Sequence, residues 1–142
     1  MAAYYIDEAV FELPDLGFVD CTLHRLESPL SGGDALTIEV RRAPIERGKS
    51  VRQLVDGEHA AQRSKHDGFQ IIQEAETSIG GAGAIVTRAR LRALDAVYSQ
   101  HKAHVAHGDT WITFAVTGPQ REQAACEEAF ERVLTSLEWR TE

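Results

Sequence analysis

The chain has 142 residues, of which 43% are hydrophobic and 26% charged. That balance excludes disordered, collagen-like and coiled-coil classes, and a chain of this length removes roughly 68–70% of its unfolded surface from water, enough for a core without disulfides or a structural metal. A net charge of -7 sets it against a dedicated nucleic-acid binder, because phosphate contacts need clustered Lys and Arg.

No internal repeat or Pro/Ser-rich linker interrupts the sequence, so residues 1–142 are expected to form one domain. The residues from Tyr4 to Leu13 suggest two short strands or an edge hairpin, stopped by Pro14-Asp15. A strand is expected from Phe18 to Leu26, then a turn-rich stretch from Ser28 to Asp34. From Ala35 to Arg42, Leu36, Ile38 and Val40 alternate with Thr37, Glu39 and Arg41, the period of a half-buried strand. Pro44 ends it, and Ser50 is placed to cap a helix that runs to Lys65 and stops at Asp67-Gly68.

Phe69 to Ile79 reads as a strand and Gly80-Gly81-Ala82-Gly83 as a tight reversal. Ala84–Leu94 and Val97–Val105 form a long antiparallel pair joined near Asp95. Thr110 to Thr117 follows as the clearest strand, with Ile112, Phe114 and Val116 on one side. Thr117-Gly118-Pro119-Gln120 has the form of a capping box. After it Cys126, Ala129, Phe130, Val133 and Leu137 make one helical face closed by Trp139. The expected class is α+β, a mainly antiparallel curved sheet with two principal helices packed on one face.

The chemistry-bearing residues do not assemble into a catalytic pattern. His101, His104 and His107 lie on one strand, where alternation turns His104 away from the other two, so a metal site is not expected. The glycine-rich reversal leads into a strand rather than a helix, which excludes a phosphate cradle. Cys126 falls on the apolar stripe of the last helix; Cys21 lies on a strand beside Asp20, where a carboxylate opposes thiol activation. Two cysteines allow one bridge, but the sequence does not show that they meet. No apolar run reaches the ~18 residues of a membrane span, and the first residues lack the basic and apolar segments of a signal peptide. A cytoplasmic location with reduced thiols and no stable membrane insertion is therefore expected. Arg88, Arg90 and Arg92 share one strand face, which either balances carboxylates such as Glu39 or rims a partner's surface.

The order of motifs resembles the Eag-type (EagR) chaperones of type VI secretion effectors, within the DcrB-related, PsbP/Mog1-like fold group. The stations are Glu8, Phe11-Glu12-Leu13-Pro14-Asp15, Asp20-x-Thr22-Leu23, Ile38 to Arg42, Leu54-Val55, Gly68-Phe69, Ile79-x-Gly81-x-x-Ala84, Gln100 and Phe114. The resemblance implies a small cytoplasmic homodimer without catalytic residues, cofactor or metal. Its partner would be a secreted toxin effector, whose hydrophobic, PAAR-associated N-terminal helices lie on the sheet until the effector is loaded on the secretion spike. Carried over by position, the client-binding residues are Leu23, Gln100 and Glu58, the last standing where such chaperones have a glutamine. Arg25 and Glu39 stand where apolar groove residues are expected, so they snorkel to the rim, meet polar groups of the client, or mark a less apolar client. Two other functions remain open: a small-ligand-binding or enzymatic domain using Gln100, His101 or His104, and a PsbP/Mog1-like scaffold for a folded partner.

Overall fold

The computed structural model describes residues 2–5, 8–18, 21–30, 34–66, 68–93 and 95–140. Asp20, the turn centre at residues 31–33, the helix stop at Asp67, and Leu94 lie outside them. The class is α+β. A hairpin of β1 (Ala2–Tyr5) and β2 (Val10–Leu13) precedes β3 (Leu23–Pro29) and β4 (Ala35–Pro44). Helix α1 (Val51–Lys65) leads to β5 (Gln70–Ile79), β6 (Ala82–Ala93), β7 (Ala96–His107) and β8 (Thr110–Pro119), and helix α2 (Gln123–Ser136) follows. The large sheet has six antiparallel strands in the order β3-β4-β8-β7-β6-β5. Among the described residues no helix is long and apolar enough to cross a membrane.

Local chemistry accounts for the main boundaries. Ser50 accepts a hydrogen bond from the Gln53 N–H while the Gln53 side chain accepts one from the Ser50 N–H, a reciprocal cap that fixes where α1 begins. At the β5–β6 reversal Gly80 and Gly81 have φ of 57° and 85°, the left-handed values that a two-residue hairpin turn requires. The Trp139 indole covers this turn and donates from Nε1 to the Ile79 carbonyl at 3.1 Å. The third strand is displaced from the expected Phe18–Leu26 to Leu23–Pro29, because pairing runs from Leu23↔Arg41 to Pro29↔Ala35.

The capping box expected at Thr117-Gly118-Pro119-Gln120 does not form. Strand β8 continues through Pro119, and a 3₁₀ turn over Gln120–Glu122 leads into α2 without a side-chain cap. The Thr117 hydroxyl is engaged across the sheet, where it accepts from Gln100 Nε2 at 3.2 Å.

Alternation along β7 and β8 decides where the helices lie. Ala103, Val105 and Val116 join Ile79, Ala84, Cys126 and Phe130 in one core, with Leu36, Ile38, Phe114 and Trp139 packed around it. His101 meets Phe130 on this side, with ring centroids 5.5 Å apart. Lys102 and His104 have the opposite parity and meet Glu58 and His59 of α1. The helices thus divide between the two sides of the sheet, a refinement of the expected common face that follows from these contacts. Helix α2 covers the centre of one side. Helix α1 lies over β5 to β7 on the other, above the buried Ile85, Thr87, Ala89 and Leu91, and leaves the β8, β4 and β3 part of that side beside it.

Helix α2 approaches β8 closely because Gly118 has no side chain: a Cβ there would lie 2.7 Å from Cys126 Sγ and 3.0 Å from Leu36 Cδ1. Gly118→Ala is expected to destabilise the fold by about 1–3 kcal/mol through overpacking. In urea unfolding, adding Cys126→Ala to it should cost less than the two single changes predict separately.

Candidate binding cleft beside helix α1

The cross-strand pairs Arg25↔Glu39, Glu39↔Ala115, Lys102↔Ala115 and Gln100↔Thr117 put Arg25, Glu39, Lys102 and Gln100 on the α1 side of the sheet. Leu23 opposes Arg41 on the same side and is 50% exposed. Glu39, Glu58 and Gln100 line one depression of about 80 Å³ together with Arg41, Lys102 and Thr113. All five sequence-predicted residues therefore share one side. Three are in the cleft, and Arg25 and Leu23 stand beside it on the edge strand β3, Arg25 at the rim through its pairing with Glu39.

Charge pairs organise this surface. Arg25 donates to Glu39 at 3.1 Å and to Glu27 at 3.0 Å, forming an exposed fork along the edge. Glu58, with a side chain only 14% exposed, receives Lys102 at 3.4 Å and Arg41 at 3.9 Å on one oxygen. Its other oxygen lies 3.6 Å from His104 Nε2. Gln100 gives its amide N–H to Thr117 and keeps a buried carbonyl oxygen without a partner. The cleft is thus polar and nearly balanced in charge, not apolar. Arg88 has no part in it: Glu39 is paired by Arg25, while Arg88 lies on the α2 side near His101 and Phe130.

Beneath α1 the fully buried His104 lies behind two lining residues of the cleft, Glu58 and Thr113. Trp111 Nε1 donates to His104 Nδ1 at 3.3 Å, and the Thr113 hydroxyl is at 3.3 Å from the same nitrogen. An indole N–H can only donate, so the neutral ring carries its proton on Nε2, toward Glu58. Burial pushes the His104 pKa from 6.5 down to about 4, against the opposing pull of Glu58. Burial also lowers His59 and His101. His101 and His104 point to opposite sides, and among the described residues no three His, Cys, Asp or Glu side chains form a metal-ligand group. Cys126 is buried and Cys21 exposed, both as free thiols.

Sequence reasoning missed Arg41 and Lys102 as parts of this site, and set His104 beside Gln100 only as a candidate for a small-ligand pocket. Arg41 had only the look of a polar residue alternating with the apolar face of a half-buried strand. Lys102 and His104 carried one usable signal, their shared parity with Gln100 along β7.

The DcrB family pattern matches residues 8–136, nearly the whole chain. A crystal structure of PA94 from Pseudomonas aeruginosa, a protein of unknown function described as a putative regulator, aligns with a TM-score of 0.83 at 16% identity, covering 100% of this chain and 99% of that one. LpqN of Mycobacterium tuberculosis, involved in cell envelope biogenesis, aligns at 0.65 and 11% identity over 83% of this chain and 80% of its own. The solution structure of cyanobacterial PsbP (CyanoP) from Synechocystis sp. PCC 6803 aligns at 0.56 and 11% over 89% and 95%. At these identities the structures share the fold alone, which is PsbP/Mog1-like. No curated protein matches the chain.

Two predictions follow from the buried charges. Glu58→Ala leaves Lys102 in a nearly closed site and should cost about 3 kcal/mol in denaturant unfolding, while Glu58→Ala with Lys102→Met should recover most of the loss. His104 takes up a proton near 6.5 when unfolded and near 4 when folded. Between those values the unfolded chain holds more protons, so stability is full above the upper value and falls as acid is added, by about 1.4 kcal/mol per pH unit. Urea midpoints measured from neutral pH down to about 4 should therefore fall less steeply in His104→Gln, whose amide both accepts and donates without titrating.

Proposed function

The chain belongs to the DcrB family, and we propose that within it this protein is a non-catalytic scaffold that holds a segment of a partner protein in the cleft beside α1. Its fold group is one of scaffold and adaptor proteins. The observation that carries the proposal is the convergence of Leu23, Arg25, Glu39 and Gln100 from three strands, with Glu58 from α1, on one partly covered side of the sheet. Their chemistry selects the partner. Desolvating the Arg25–Glu39 pair and the Glu58 cluster under a wholly apolar helix costs several kcal/mol per ion unless the helix returns polar contacts. A folded or amphipathic surface does so: the unpartnered Gln100 oxygen takes a donor, the Arg25–Glu27–Glu39 fork takes opposite charges at the rim, and Leu23 supplies one apolar contact.

A narrower reading keeps the same cleft and makes the partner the hydrophobic N-terminal helices of a type VI secretion effector, shielded in the cytoplasm by a homodimer. Its support is the motif order, together with the exposed Leu23 and the amide of Gln100 on one side. The charged pairs tell against it unless the client helix carries polar residues facing them.

Affinity purification from the native host, comparing the parent with Leu23→Asp and Arg25→Glu, separates these readings. Loss of one dominant protein mainly with Arg25→Glu identifies a polar, folded partner; rim-charge reversal is expected to act chiefly on association rate and salt dependence. Loss mainly with Leu23→Asp identifies an apolar helix. A partner retained by both variants and by Gln100→Ala removes the cleft from consideration.

A further inference from the structure

Strand β5 closes the sheet on the side away from the cleft, and among the described residues it pairs only with β6. All of its residues except Ile71 and Ile79 are exposed. Sheet edges are ordinarily guarded by Pro, Lys, brevity or a cover. Strand β3, the other edge, has seven residues, ends in Pro29 and carries the Arg25 fork. Strand β5 has ten residues with neither Pro nor Lys, and its register irregularity lies near one end, between Ile71 and Gln73. The segment from Gln73 to Ser78 is consequently an open row of backbone donors and acceptors.

The two sides of this edge differ in chemistry. On the α2 side Ala75, Val86, Phe130 and Leu134 line a groove of about 410 Å³ whose mouth carries Glu127 and Glu131. Ala75 is the small side chain that leaves the groove open toward the edge. His101, only 4% exposed, contributes to its wall and has an Nε2 without a partner. Arg88, the groove's cation, meets the Gln123 side chain when that amide is turned with its oxygen toward the guanidinium. On the α1 side Glu74 is held by Arg52 at 2.8 Å, while Glu76 has no ion-pair partner among the described residues. Among the described residues Glu127 and Glu131 likewise have none, and one helical turn apart they repel each other.

From an unguarded edge beside an apolar groove with unpaired carboxylates at its mouth, we propose that β5 accepts an extended basic and aliphatic polypeptide segment as a seventh strand. Main-chain hydrogen bonds to Gln73–Ser78 supply the pairing, as in other cases of strand addition. An aliphatic residue passes over Ala75 into the groove. Lys or Arg residues on the same face lay their stems along it and reach Glu127 and Glu131, and a basic residue on the other face meets Glu76. A second copy of this chain is the poorer occupant, since antiparallel β5 pairing centred on Ala75 sets Glu74 against Glu76 of the other copy. The surface is separate from the cleft beside α1.

The probe is a terminally blocked peptide whose successive residues place lysine, leucine and lysine on one strand face and valine, lysine and valine on the other, followed by fluorescence anisotropy on the full chain at low salt. The parent peptide should bind. Methylating alternate backbone nitrogens should abolish binding in one of the two phases and leave it in the other, because only one set of amides faces β5. Glu127→Gln with Glu131→Gln, both exposed positions, should lose roughly tenfold in affinity, and Leu23→Asp should change nothing. The proposal is overturned if the parent peptide does not bind, or if a rearranged peptide of equal composition binds as well. Helical rather than extended chemical shifts in the bound peptide would overturn it too, as would a concentration-dependent dimer through β5 that excludes the peptide.

Discussion

Strand β7 is the element on which both halves of the molecule rest. Its odd positions His101, Ala103 and Val105 turn toward α2, and its even positions Gln100, Lys102 and His104 turn toward α1 and the cleft. Because side chains on a strand alternate with a period of two, these assignments are not independent. A slip of one residue would carry Lys102 into the apolar core and bring Ala103 and Val105 out beneath the helix with Glu58 and His59. Pairing with β6 over ten positions and with β8 over ten more holds the register against such a slip.

The two helices are attached by different physics. Helix α2 is held by apolar burial, with Cys126 and Phe130 against Val116, Ala103 and Val105 and a glycine at the closest approach. Each such large side chain contributes about 1.5–3 kcal/mol. Helix α1 buries Leu54 and Val55 but also places Glu58 and His59 against Lys102 and His104. Ion pairs of this kind return little net stability once desolvation is counted, yet losing one partner is costly. Their effect is to fix where α1 lies across the sheet, and with it the wall of the cleft that α1 supplies.

That arrangement bears on what the protein can bind. An open sheet face made only of apolar side chains would suit a bare hydrophobic helix. Here the strands beside α1 carry ion pairs and amides, with Leu23 as the exposed aliphatic residue among the predicted contacts. The polar character favours a partner with its own donors and charges, and it ties the binding surface to the same side chains that anchor α1. The opposite edge, β5, has the reverse character: open backbone, an apolar groove, and acid at the rim.

Much of this was legible before any coordinates. Alternation in Ala35 to Arg42 marks β4, the Ser50 and Gln53 chemistry marks the start of α1, Gly80-Gly81 marks the hairpin, and the stripe from Cys126 to Trp139 marks the buried face of α2. Even the common side of Leu23, Arg25, Glu39 and Gln100 follows from residue parity once the strand order is known. The sequence alone determined which residues share a face of each element, since strand and helix periods are local properties of the backbone. Tertiary structure alone decided which face meets which helix, that Thr117 pairs with Gln100 instead of capping α2, and that Arg41, Lys102 and His104 gather on Glu58. Those outcomes depend on strand order and on contacts between residues far apart in the chain, which no local period encodes.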